Sequence, residues 1–149
     1  PRVIIAPEIV KRSNNEYEYI IKVMNKSHLF KLIDIYFELT LLKPKNSPGG
    51  QNLAIERVKL KSDHLWFLNR RTFFKKKNGH ATFAVIISVD KGYDLETEWK
   101  KNNGTLLDLK VIAKNNFSGI TGIGHETYNH PSVIKNGNYI HGNSVNIKQ

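Results

Sequence analysis

The stretch from Asn25 to Pro44, NKSHLFKLIDIYFELTLLKP, limits the fold more than any other part of the chain. It opens on a polar knot, Asn25-Lys26-Ser27-His28, and then alternates. Leu29, Ile33, Ile35, Phe37, Leu39 and Leu41 fall on one face, with Lys31 the single interruption, and Asp34, Tyr36, Glu38 and Thr40 fall on the other. A period of two marks a strand with one buried face. Pro44 and the loop Lys45-Asn46-Ser47-Pro48-Gly49-Gly50 are expected to end it. A strand this long needs partners along its length, so the remaining chain must supply a sheet.

The remaining chain reads as more strands. Arg2 to Val10 suits a short edge strand, since Pro1 and Pro7 cannot donate to a ladder. Ser13-Asn14-Asn15 is a turn. Glu16 to Met24 alternates, with Tyr17, Tyr19, Ile21 and Val23 opposed to Glu16, Glu18 and Lys22. Asn52 to Leu60 is a weaker strand, and His64 to Leu68 a short apolar run carrying Trp66. Thr82 to Asp90 turns Phe83, Val85, Ile87 and Val89 to one side, and Thr105 to Ala113 does the same with Leu107, Leu109, Val111 and Ala113. The one helical candidate is Asp94 to Lys101, where Asp94 caps, Glu96 and Glu98 lie in the first turns and Lys100 and Lys101 at the end. Short strands are expected around Gly124 to Tyr128 and Tyr139 to Ile147. Many strands with frequent turns and almost no helix predict an all-β fold, a sandwich or a barrel.

At 149 residues this is one domain with enough core to hold itself together. The absence of cysteine excludes a disulfide framework and thiolate metal sites, and fits a cytosolic setting. No signal peptide or membrane-length apolar run is visible, and a start at Pro1 reads as a domain cut from a longer protein. The formal charge of +10 favours partners of negative sign: nucleic acid, anionic lipid headgroups or acidic proteins. The densest basic cluster is Arg70, Arg71, Lys75, Lys76 and Lys77. Aromatics lie near it, but the adjacent Phe73 and Phe74 place one ring in the core, which argues against a stacking surface for nucleic acid.

Nothing in the pattern supports catalysis, a metal or a cofactor. Gly119-Ile120-Thr121-Gly122-Ile123-Gly124 has the glycines of a dinucleotide fingerprint in reversed order and no helix behind it, so it reads as a loop between strands. His125-Glu126 and His130 lack the H-E-x-x-H spacing and a helix to carry it. There is no G-x-S-x-G and no carboxylate dyad.

Several segments, in order, resemble the cytoplasmic domain of inward-rectifier potassium channels. Asn25-Lys26-Ser27-His28-Leu29 and the later Leu41-Leu42-Lys43-Pro44 are similar to that family's N-x-S-H and leucine-leucine-lysine segments. Glu8-Ile9-Val10 with Asn15 to Val23 resembles its first hairpin, and Trp66-Phe67-Leu68 one of its strands. Ser118-Gly119-Ile120-Thr121 with Tyr128 resembles its T-G-M-T…S-Y segment, and Gly137-Asn138-Tyr139 a glycine-basic-aromatic triplet. The likeness runs from about Pro7 to Tyr139.

The resemblance implies an immunoglobulin-like (E-set) β-sandwich, four copies around a cytoplasmic pore, and a pore domain upstream. Ser118, Gly119 and Ile120 would lie at the constriction. Lys26, with Arg2 and Lys11, would meet anionic lipid headgroups at the cytoplasmic face of the membrane. Lys31, His64 and Ile112 stand where the family has the acidic residues of its vestibule, so strong cation block is not expected. Lys135-Asn136 replaces its tryptophan-glycine. The competing reading is a soluble β-sandwich that senses a ligand or binds proteins and shares the fold without the channel.

Overall fold

The computed structural model describes residues 3–13, 17–71, 81–87, 93–142 and 144–148. Two five-stranded sheets pack face to face. In chain order the strands are β1 (Val3–Ile5), β2 (Ile9–Ser13), β3 (Tyr17–Asn25), β4 (Leu32–Ser47), β5 (Gly50–Val58), β6 (His64–Leu68), β7 (Thr82–Ile87), β8 (Leu106–Asn115), β9 (Thr121–Tyr128) and β10 (Ile134–Asn136), with one helix, α1 (Leu95–Lys100). Of the sandwich or barrel expected from the strand pattern, the all-β sandwich is the fold that forms.

In the first sheet, β1 and β2 run end to end along one edge of β3, β7 takes the other edge, and β10 adds to β2 in parallel. The expected single strand from Arg2 to Val10 is two strands. Ile5 faces Val23 and Val10 faces Ile20, so residues 6–9 span only 21–22 on β3. Pro7 sits in this excess, where it costs no ladder bond. The Tyr128 hydroxyl donates to the freed Ala6 carbonyl at 2.6 Å and ties the second sheet to this break.

In the second sheet β4 is the spine. β5 and β6 share one of its edges, β8 takes the other, and β9 lies beyond β8. β4 runs through Pro44 to Ser47 rather than ending there. Its pairing with β8 stops at Leu42, so Pro44 occupies an open edge on that side.

Ile35, Phe37, Leu39 and Leu41 are buried as expected, but the alternation does not extend upstream. Leu29 is 71% exposed, and Leu32 rather than Ile33 is buried. The cause is a bulge. The register with β8 shifts between Ile33 and Tyr36, and Asp34 adopts a left-handed backbone, φ 52°. One extra residue reverses the facing of everything before it.

Inward residues of both sheets form the main core: Tyr19, Ile21, Val23, Val85 and Ile87 meet Phe37, Leu39, Leu109 and Val111, and Phe37 stacks on Phe83 at 5.3 Å. The helix closes one end. Asp94 caps it through Thr97, as the sequence suggests, and buried Trp99 donates to the Thr105 carbonyl at 2.8 Å. The Tyr19 hydroxyl reaches Asp94 at 2.6 Å.

The outer face of β3 is not open to solvent either. Ala6, Val10 and Ile20 are covered by Tyr139, Val145 and Ile147. In place of the expected strands from Tyr139 to Ile147 there is a strap held by one bridge between those two residues. Lys22 lies beneath it, donating to the carbonyls of Ile140 at 2.8 Å and Gly142 at 2.9 Å. Burial pushes that ammonium below the ordinary lysine range.

Candidate functional site

The polar knot is a junction between the sheets. Asn25 ends β3 fully buried. Its amide nitrogen donates to the carbonyls of Phe30 (2.9 Å), Asn69 (3.2 Å) and Leu68 (3.3 Å), and its oxygen accepts from Ser27 N–H at 2.9 Å. The Ser27 hydroxyl then accepts from the N–H groups of Leu29 and Phe30. One side chain thus fixes the crossing from the first sheet into β4 and anchors the end of β6. His28 completes the junction, with Nδ1 facing the Arg71 carbonyl at 3.3 Å and Nε2 accepting from the Arg71 guanidinium at 2.9 Å.

That crossing places the exposed Lys26 and Lys31 at one end of the sandwich, together with Arg70 and the 116–120 turn. Asn116 N–H donates to the Lys31 carbonyl at 3.0 Å. The Lys31 ammonium lies over the Phe67 ring at 4.9 Å, and Phe30 stacks on Phe117 at 5.4 Å. Lys11 is not part of this end. It pairs with Glu96 at 3.2 Å and aligns with Tyr19, six residues along β3 from Asn25, roughly 20 Å away at strand rise. Arg2 lies outside the described residues, as do Phe73, Phe74 and Lys75 to Lys77.

Ser118, Gly119 and Ile120 sit in the turn between β8 and β9. Asn115 organises it: its side-chain oxygen accepts from Phe117 and Ser118 N–H, and its backbone bonds to Gly119 and Ile120. Gly119 has φ 70° and open space where a Cβ would go, so backbone conformation rather than close approach requires glycine there. The expected loop from Gly119 to Gly124 is shorter than the sequence suggests, because β9 begins at Thr121.

The outward side of the second sheet carries the other predicted residues. His64 and Ile112 both register with Tyr36, from β6 and β8 respectively. His64 donates from Nε2 to Asp34 at 2.8 Å, packs against Tyr36 at 4.5 Å and meets Trp66 edge-on at 4.6 Å. Trp66 is 76% exposed and Ile123, beside Ile112 on β9, 58%. The surface is aromatic and aliphatic where the resemblance would place acids. A shallow cleft of about 470 Å³ opens beside Glu38, where β5 leaves β4 and β6 has not yet joined.

The histidine candidates do not converge. His125 faces outward to Asp108 at 3.3 Å, Glu126 lies on the alternate side of β9, and His130 accepts from Ser132 N–H as a cap. Among the described residues no three metal-ligating side chains gather. No described helix is long and apolar enough to cross a membrane.

Reasoning from the sequence missed the Asn25 junction, the Arg71–His28 bond and the Asp34–His64 pair. Only the N-x-S-H spacing, which offers the short polar side chains of a capped turn, pointed to the first. Comparison with models of known protein families finds no match, and comparison with curated proteins finds no relative.

Proposed function

We propose that this chain is a non-enzymatic regulatory domain of an inward-rectifier-like potassium channel, an E-set sandwich at the cytoplasmic face of the membrane that forms a vestibule with three identical copies. One observation carries the reading. Six residues assigned to the pore by resemblance, Lys31, His64, Ile112, Ser118, Gly119 and Ile120, share one continuous surface: the outer face of the second sheet and its β8–β9 end. They come from four separate stretches of sequence. Lys26 stands at the same end, the end that would face anionic lipid.

The test uses the full-length protein. This chain has no cysteine, so Ser118→Cys and Lys148→Cys each place a single thiol within it, and the full-length protein without either change is the control. A tetramer by light scattering, with rapid disulfide cross-linking at 118 and none at 148 on the strap, is the expected result. Equal cross-linking at both sites, or no tetramer, overturns the reading. Because each copy of this chain carries +10, association of the isolated chain should strengthen as salt rises and the Debye length falls to about 8 Å.

The aromatic character of Tyr36, Trp66 and Phe67 favours the alternative, a protein-interaction module without channel activity. Ion flux through the full-length protein in liposomes separates the two.

A further inference from the structure

The outer face of the second sheet is laid out in rows across its strands. Ile123, Ile112, Tyr36 and His64 form one row. Lys110 and Glu38 lie in the next, then Asp108, Thr40 and Arg57, then Leu106 and Leu42. Two apolar bands therefore flank a polar one. The charges on this face nearly balance: Asp34, Glu38 and Asp108 stand against Arg57, Lys110, Lys114 and, at its β8–β9 end, Lys31, while the chain as a whole carries +10. A nearly neutral, apolar-flanked face on a strongly basic chain lets a second copy approach with little repulsion.

We propose that a second copy of this chain closes this face, about a twofold axis parallel to the strands and midway between β4 and β8. That operation lays β4 over the partner's β8, so each registered pair within one chain recurs between chains. Glu38 meets the partner's Lys110, Tyr36 the partner's Ile112, Leu42 the partner's Leu106 and Thr40 the partner's Asp108. Further from the axis, His64 meets the partner's Ile123 and Arg57 the partner's Thr127. None of these contacts sets like charges together. Sheets stack this way in sandwiches with strands nearly aligned. The face covers roughly 700 Å² in plan, taking four strands at strand spacing, which approaches the ~800 Å² per partner of a stable interface. The pairing does not rest on the channel reading. It uses the face that reading turns toward the fourfold axis, so a copy engaged one way is unavailable for the other.

Sedimentation equilibrium of this chain and two variants decides it. The wild type should be a dimer. Glu38→Lys sets two positive pairs across the axis and Lys110→Glu two negative pairs, and each should weaken the dimer about 100-fold or more. An equimolar mixture of the two variants should recover the dimer, because each opposed pair then has opposite signs. Intramolecular effects cannot produce that recovery, and circular dichroism confirms that both variants are folded. A monomeric wild type, variants that dimerise like the wild type, or a mixture that stays monomeric would overturn the pairing. A full-length tetramer without a dimer of this chain removes the twofold pairing alone. A dimer of this chain, with a full-length protein that never forms tetramers, removes the channel reading alone.

Discussion

His64 donates to Asp34 across 2.8 Å, and Asp34 is the one non-glycine residue with positive φ among those described. The histidine bond and the bulge therefore sit at the same point of the sheet. A short polar side chain tolerates the left-handed region, whereas a β-branched one does not. Asp34→Val should cost about 1–2 kcal/mol in backbone strain on top of losing the histidine bond. Asp34→Gly should cost less, because it relaxes the backbone while losing the bond, worth about 0.5–1.5 kcal/mol. Urea unfolding of both variants checks the order, and equal losses would argue against backbone strain at this bulge.

Asn25→Ala should be among the most damaging single changes. It leaves the Leu68 carbonyl without its buried donor and removes the acceptor for Ser27 N–H. A buried polar group without a partner costs about 1–3 kcal/mol, and more than one is affected here. Asn25→Asp should be no better, since a carboxylate cannot donate to carbonyls. A urea midpoint for Asn25→Ala within error of the wild type would refute the junction's role.

Stability should fall at acid pH through the start of α1. Burial pushes the Asp94 carboxyl up, but hydrogen bonds from Tyr19 and Thr97 and the charge of Lys11 outweigh it and leave the group below its ordinary range. Glu96 is held down by the Lys100 hydrogen bond first, with Lys11 also contributing. Both groups bind a proton more readily in the unfolded chain. Their stabilisation is therefore present above the unfolded value of about 4 and is lost as pH falls through the folded values. Asp94→Asn should lower stability at pH 7 and flatten this decline. Urea midpoints from neutral to acid pH measure it, and an unchanged slope would assign the acid sensitivity elsewhere.

Binding to vesicles containing anionic lipid should weaken in Lys26→Glu. One basic residue near such a surface contributes about 1 kcal/mol, so reversal should lose roughly tenfold or more. Lys11→Glu should matter far less, because Lys11 is paired with Glu96 and lies along β3 from that end. Co-sedimentation at two salt concentrations checks both variants. Binding insensitive to salt and to Lys26 would end the lipid assignment.

Much of this architecture is written locally. The alternation from Thr105 to Ala113 and from Tyr19 to Val23 identifies strands and their buried faces, because side-chain direction in a strand depends only on position. Asp94, Glu96 and Lys100 mark the helix for the same reason: caps and the helix dipole act within one turn. Of the surface, exposed Lys26 and the Gly119 turn were legible as residue types in a polar setting, whereas Lys31 reads along the chain as an interruption of the buried face.

What the tertiary structure decided is where registers break and what covers each face. Nothing in the letters Ile33-Asp34-Ile35 announces a bulge, since it exists only against β8, whose residues lie some eighty positions on. Lys22 looks like a solvent-facing lysine until the strap lies over it, and Trp66, carried in a short apolar run, is turned to the outer face of the sheet by the pairing of β6 with β4. The junction at Asn25 collects carbonyls from Phe30, Leu68 and Asn69 that only the folded chain brings together. Periodicity is a property of neighbouring residues and can be read along a sequence. Pairing and coverage depend on distant segments meeting, and those are settled by packing.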